Sequence, residues 1–350
     1  MSRTRSDRVI LHIIESYGAG SARAAETYAN ATPEYRHVVL RRPRDGEYVA
    51  GQEARAFEQV YDLPSGLLPA LRSIRRTVRD VKPYRIHAHS SWGGAFARIA
   101  LPVRIARQRV VYTPHCFAFE RLDLGLPARA AFAIAEFLLA LKTDVIAACS
   151  TREAGLARRM PTRRPPIVVP NVGSLPASPD VPRRPGRLVG IGRLGDQKDP
   201  QLFGAIAAAT RRAGGAEDAL WLGGGDPEVE QALFRSGVTV TGWLGSAQIA
   251  EHCRAASIYL HTARWEGFPL SILEASRAGL PVVARRIPAL SDAPVQWLFD
   301  SAEQATTLLI RLSDPKEAAA NRAAWAAALS DNEPGVQRTR LEVVYAGGTP

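Results

Sequence analysis

Leu188-Val189-Gly190-Ile191-Gly192-Arg193-Leu194 decides how this chain folds, because an apolar β-forming run ending in glycines starts the chain's pattern a second time. Before it, short β-branched runs alternate with longer Ala/Leu/Arg-rich stretches, at Val9 to Glu15, Val38 to Leu40, Arg85 to Ala88, Val110 to Thr113, Val145 to Cys149 and Ile167 to Val169. After it come Ala219 to Gly223, Val238 to Thr241, Ile258 to His261 and Val282 to Ala284. Strands separated by helical stretches predict parallel α/β sheets. Between the two series stand Pro176, Pro179, Pro182 and Pro185, a spacing too stiff for a regular element. The expected organisation is therefore a domain over residues 1–175, a linker over 176–187 and a second domain over 188–330. Ala-rich Lys316 to Leu329 predicts a helix by propensity, and Val336 to Tyr345 a last one after a break.

At 350 residues the chain can bury two cores, and 46% apolar with 23% charged residues is the balance of a soluble globular protein. Its +11 charge is uneven: residues 1–180 carry 27 basic and 16 acidic side chains, residues 181–350 carry 18 of each. A basic N-terminal half suits an anionic membrane surface or an acidic acceptor, and equally a solubilising arginine-rich surface. Zinc spacing, aromatic RNA motifs and long basic helices are all missing, so nucleic acid is not an expected partner. Cys116, Cys149 and Cys253 are too scattered for a disulfide framework or a Cys-x-x-Cys metal site, which points to a reducing compartment, the cytoplasm by default. Val9 to Ile14 is too short for a signal peptide. The apolar run Ala130 to Leu141 is broken by Glu136 and too short to span a bilayer.

The chemistry concentrates in Glu266-Gly267-Phe268-Pro269-Leu270-Ser271-Ile272-Leu273-Glu274-Ala275, where two carboxylates bracket a glycine turn and a proline that can open a helix. Gly267 permits a sharp turn, the fixed φ of Pro269 suits a first helical turn, and the free amides beyond can hold a diphosphate. Glycosidases also pair carboxylates, about 5 to 9.5 Å apart across one bond. Eight residues of helix rise about 12 Å, so Glu266 and Glu274 would reach different parts of one extended ligand.

Further motifs close the other predicted strands: Tyr17-Gly18-Ala19-Gly20, Ile86-His87-Ala88-His89, Tyr112-Thr113-Pro114-His115, Leu222-Gly223-Gly224-Gly225 and Thr241-Gly242-Trp243-Leu244. The opening stretch leads on to Gln197-Lys198-Asp199-Pro200. With 41 Arg and only 4 Lys in the chain, Lys198 is not the residue its compositional bias would supply. A compact ammonium suits phosphate as a point charge, while the Arg193 guanidinium can bind it bidentately. The imidazole of His115, just past a predicted strand end, can hydrogen-bond a hydroxyl or a phosphate oxygen.

Together and in this order, these motifs resemble the retaining glycosyltransferases of the GT-B fold, family-4 type (glycosyl transferases group 1), over nearly the whole chain. The resemblance implies two Rossmann-like domains facing across a cleft, an acceptor-side N-terminal domain onto which helix 336–346 packs back, and a donor domain over 188–330. It implies transfer of a hexose from a UDP- or GDP-sugar to a hydroxyl of a glycan or lipid-linked acceptor. Retention, no metal, no tightly bound cofactor, and a role in bacterial exopolysaccharide or cell-envelope synthesis at the inner membrane face follow from the same likeness. On the matching positions, Arg193, Lys198, Gly20 and Phe268-Pro269-Leu270 would hold the donor diphosphate. Glu274 would bind the ribose, Gly223, Gly224 and Leu244 would wall the nucleotide, Glu266 and His115 would act at the transferred sugar, and His89 would face the acceptor. Ala19 between the glycines, His261-Thr262 where many relatives carry Pro-Ser, and Arg285-Arg286-Ile287-Pro288-Ala289 depart from the family pattern and leave the sugar open. The rivals are a sugar-nucleotide epimerase on the same fold, which product analysis separates, and a non-catalytic binding subunit, which the retained Arg193, Lys198, Glu266 and Glu274 oppose.

Overall fold

Seven parallel strands build the first sheet: β1 (Val9–Tyr17), β2 (Arg36–Pro43), β3 (Gln59–Asp62), β4 (Arg85–His89), β5 (Val110–Thr113), β6 (Val145–Ala148) and β7 (Ile167–Val168), in the order β3-β2-β1-β4-β5-β6-β7. Six more build the second: β8 (Arg187–Ile191), β9 (Asp218–Leu222), β10 (Thr239–Val240), β11 (Ile258–His261), β12 (Val282–Arg285) and β13 (Leu298–Phe299), ordered β10-β9-β8-β11-β12-β13 and again parallel throughout. This computed structural model describes residues 8–44, 56–173 and 184–347, so the expected linker over 176–187 lies outside the described residues except for its last four. Two compact units emerge, Met1–Val172 with Glu333–Pro350, and Gly173–Asn332. Strands β3 and β13 have no counterpart in the sequence reading. All four residues of β3 are exposed at the sheet edge, and β13 is two residues long, so neither has the apolar run that announces a strand.

In the first unit, alternate residues send Leu11, Ile13, Ile86, Ala88 and Tyr112 to one face and Ile10, Val111, Val145 and Ala147 to the other. The second face is covered by Tyr28 and by the helix Pro334–Ala346, whose Leu341, Val344 and Tyr345 are fully buried. The last turn of that helix is tied down through its carbonyls. Arg164 donates to Val344 O at 2.8 Å and Arg85 to Tyr345 O at 2.9 Å, while both guanidinium groups bind the buried Asp144 carboxylate. Cations at a helix C-terminus satisfy carbonyls that have no helical partner and oppose the negative end of its dipole.

In the second unit, Phe203, Trp221, Trp297 and Phe299 fill one side of the sheet, and Tyr259, Ile272, Leu280 and Trp325 the other. The predicted Ala-rich helix forms as Pro315–Ala328. Asn321 clasps both backbone groups of Val282, and Trp325 Nε1 adds a second donor to the same carbonyl at 2.9 Å, fixing this helix to β12. Among the described residues, no helix is long and apolar enough to cross a membrane.

Candidate active site

The second unit assembles its polar residues where β8, β9 and β11 end. Gly223 takes φ +142° and a side chain there would stand 2.1 Å from Gly192 O, so only glycine lets the two strand ends touch. They join through Gly192 N to Leu222 O at 3.0 Å and Leu194 N to Gly224 O at 2.9 Å. Gly224 lies against Trp243, and Leu244 packs on the core beneath.

Beside them the 195–199 turn is stitched to the 262–266 segment. Thr262 Oγ1 donates to Lys198 O at 2.7 Å, Arg264 N to Gln197 O at 2.8 Å, and Gln197 Nε2 to Trp265 O at 3.1 Å. This brings Lys198 Nζ to 2.5 Å from Glu266 Oε1, an ion pair with 20% and 11% of the side chains exposed. Asp199 caps the helix Pro200–Arg212 from a left-handed conformation and also holds Arg285 at 2.7 Å, which gives one of the departing arginines a structural partner. Arg193 is exposed on the neighbouring turn.

After Gly267 the helix runs Leu270–Arg277, and Pro269 is its N-cap rather than its first residue. Ile272 N reaches back to Pro269 O at 3.2 Å, so the amides of Leu270 and Ser271 lie beyond the reach of helical carbonyls. Phe268 is half-buried ahead of them, and Glu274 is buried on the inward side of the helix. His261 is buried too. Its Nδ1 meets Tyr259 OH at 3.0 Å, that hydroxyl donates to Ser271 Oγ at 2.8 Å, and Nε2 has no hydrogen-bond partner among the described residues. Burial, then the Lys198 charge, lowers its pKa well below the usual histidine value.

In the first unit Gly18 caps the helix Ala19–Ala31, and Gly20 is exposed in its first turn. His115 follows β5 in a left-handed conformation, φ 53°, and Cys116 follows at φ 91°. Backbone of this kind costs about 1–3 kcal/mol at a non-glycine residue and persists only where the surroundings hold it. Glu153 is the holder: Oε1 accepts from Cys116 N at 2.9 Å, and Oε2 from Cys149 N at 2.8 Å. Its complete burial pushes its pKa up to about 7.

Four imidazoles run inward from that loop. His115 Nε2 lies 3.0 Å from His89 Nδ1, His89 Nε2 3.0 Å from His12 Nδ1, and His12 Nε2 3.0 Å from His37 Nδ1. His89 is fully buried with both nitrogens engaged by His12 and His115, so its ring has no nitrogen open to an acceptor. His87 stands beside the row, bonded to Tyr345 OH at 2.9 Å and Thr113 Oγ1 at 2.8 Å. Burial lowers the pKa of all five, to about 4 for His37 and His115. His12, His87 and His89 are close enough to share a metal ion, but each of their ring nitrogens is already in a hydrogen bond. Sequence reasoning did not single out His12, His37 or Glu153. Only Glu153 has a local signal, the Ser150-Thr151-Arg152-Glu153 spacing of a capping box, and Ser150 Oγ does accept from Glu153 N.

Residues 17–172 match the family profile described as "Glycosyl transferase 4-like domain", and residues 185–326 match "Glycosyl transferases group 1". A Klebsiella pneumoniae protein described as "Uncharacterized 41.2 kDa protein in cps region" is 24% identical over 302 residues, covering 81% of this chain and 82% of that one. Among solved structures, Anabaena Alr3699/HepE in complex with UDP and glucose superposes with a TM-score of 0.77 at 17% identity, covering 97% and 99% of the two chains. Sucrose-phosphate synthase from Thermosynechococcus elongatus gives 0.76 at 15%, covering 97% and 98%. WaaG, a glycosyltransferase involved in lipopolysaccharide biosynthesis, gives 0.69 at 16%, covering 96% and 99%. Two parallel sheets flanked by helices are the GT-B architecture of these structures.

Proposed function

This chain belongs to the group 1 glycosyltransferases, and from that premise we propose that it moves a hexose from a UDP- or GDP-sugar to a hydroxyl of a glycan or lipid-linked acceptor, with retention and without a metal. The observation that carries the reading is the Lys198–Glu266 pair ahead of the helix Leu270–Arg277. With 20% and 11% of its side chains exposed, the pair can be reached from solvent, and each charge can exchange its partner for a ligand group. A diphosphate takes the ammonium of Lys198, and sugar hydroxyls take the carboxylate of Glu266. Arg193 and the amides of Leu270 and Ser271 add to the field around the diphosphate, Glu274 binds the ribose, and Gly223, Gly224 and Leu244 wall the nucleotide. Positive groups aimed at the leaving diphosphate stabilise the charge that develops there, the role a metal plays elsewhere. His115 contacts a hydroxyl.

UDP and glucose bound to Alr3699/HepE support a uridine donor, and the cps-region relative and WaaG support an envelope or capsular glycan as product. Contact with an anionic bilayer, at the inner face of the membrane, accounts for one more feature. The helix Leu126–Ala140 turns Leu126, Ile134, Phe137 and Leu138 to solvent, and its one acidic residue, Glu136, faces inward onto Arg98 at 2.9 Å. The test is a panel of UDP- and GDP-sugars with chelator present, read by thermal shift and donor hydrolysis. Stabilisation by at least one donor is expected, and silence across the panel rejects the reading.

A further inference from the structure

Thr32 sets the direction of the imidazole row. His37 Nε2 faces two oxygens of this residue, the carbonyl at 3.0 Å and Oγ1 at 3.2 Å, and Oγ1 spends its own proton on Tyr28 O at 2.9 Å. Both oxygens therefore accept, and His37 Nε2 carries the hydrogen. A neutral imidazole has one N–H, so His37 Nδ1 is a lone pair and His12 Nε2 must donate to it. The same step repeats at His89 and again at His115. All four rings hold their proton on Nε2, and one lone pair is left over, at His115 Nδ1, which makes no protein hydrogen bond among the described residues. The rings of His12 and His89 are 17° from coplanar, those of His89 and His115 13°, each with centroids 5.3 Å apart, so the nitrogens meet edge to edge as the bonds require.

We infer that His89, His12 and His37 are positioning residues that fix His115 in its Nε2–H tautomer, leaving Nδ1 as an acceptor for a substrate hydroxyl and not as a donor to a phosphate oxygen. The inference rests on the proposed reading of His115 as a ligand contact, and it narrows the two ligand groups that an imidazole there can serve to one. Reversing the row would set the lone pair of His37 Nε2 against the Thr32 carbonyl. Charging it has no support either: no carboxylate hydrogen-bonds to any of the four rings among the described residues, unlike the histidine of a Ser-His-Asp triad. Each N–H given inward also polarises the ring that gives it, so His115 Nδ1 gains strength as an acceptor from the three bonds behind it.

Long-range proton–nitrogen NMR of the ¹⁵N-labelled, ligand-free chain at neutral pH reads the tautomers directly. The expected spectrum shows His12, His37, His89 and His115 with Nε2 protonated and Nδ1 bare. An Nδ1–H signal at His115 overturns the inference, and so does Zn²⁺ displacing these protons stoichiometrically. His37→Met removes the anchor and should mix the tautomers of His115, whereas His37→Gln, which keeps a donor and an acceptor, should restore one. A single unchanged tautomer in folded His37→Met denies positioning; His12→Met, one ring nearer, serves if the first variant does not fold. Titration with UDP-glucose should move His115 Nδ1 while UDP alone leaves it still, and a shift with UDP alone overturns the hydroxyl assignment. If neither nucleotide binds, the donor reading fails and the ligand-free tautomer result stands on its own.

Discussion

The two units hold their polar groups in opposite ways. In the first, His12, His37, His87 and His89 are buried in the strands and His115 is half-buried on the loop after β5, and the information the row carries is which nitrogen bears the proton. In the second, Lys198 and Glu266 form an ion pair that keeps some contact with water. Neutral groups with a fixed hydrogen direction suit a hydroxyl, and exchangeable charges suit a diphosphate. On the proposed reading, burial alone does not rank residues by function: the least exposed polar cluster would serve selectivity, and the more exposed pair binding strength.

The sharpest way to break this contrast is Lys198→Ala. On the proposed reading, in which Lys198 faces the leaving diphosphate, it should lower kcat/KM by about 100- to 1000-fold and weaken UDP affinity. Glu266→Ala should reduce kcat more than nucleotide affinity, as calorimetry with UDP and turnover with the preferred donor would show. Equal losses in both variants would mean that the pair acts as one unit.

Acid should separate the units next. Histidines whose folded pKa lies below the unfolded value of about 6.5 give stability that is complete above that pH and lost as pH falls through about 4. His37 alone contributes on the order of 3 kcal/mol. Hydrogen exchange resolved by peptide, compared between about pH 7 and pH 4, should show the first unit loosening before the second, whose single buried histidine is His261. Simultaneous loosening would contradict the contrast.

Glu153→Gln should cost the first unit about 1–3 kcal/mol in denaturant unfolding, since one of the amides of Cys116 and Cys149 is left facing another donor. Smallest in stability, within about 0.5 kcal/mol, should be Phe137→Ser on the exposed helix face. That variant should nonetheless reduce co-sedimentation with anionic vesicles, and unchanged sedimentation would remove the membrane from the proposal.

Much of the fold was legible because buried parallel strands read as apolar runs, as at Val110 to Thr113 and Ile258 to His261. Edge strand β3 was not, because Gln59-Val60-Tyr61-Asp62 buries no side chain and is held by backbone pairing and by the Arg41–Asp62 ion pair. In the site, Lys198 and Glu266 each carried a local motif, but their contact across 68 residues follows from the register of β8 and β11. His12 and His37 carried no motif at all. The alternation His87-Ala88-His89 in a strand without exposed positions was the available clue, since two buried imidazoles on one face require polar partners on neighbouring strands.

The helix Pro334–Ala346 completes the first unit from the far end of the chain, and this orders events during synthesis. Everything in Gly173–Asn332 emerges from the ribosome before the segment that covers Ile10, Val111 and Val145, and chains fold as they emerge. The second unit can thus form from contiguous sequence while the first waits with one sheet face bare. His87 finds Tyr345, and Asp144 finds its full set of carbonyl-bound arginines, only in the closing step. A nascent chain stalled before residue 334 would carry a finished second unit and a first sheet still open to chaperones.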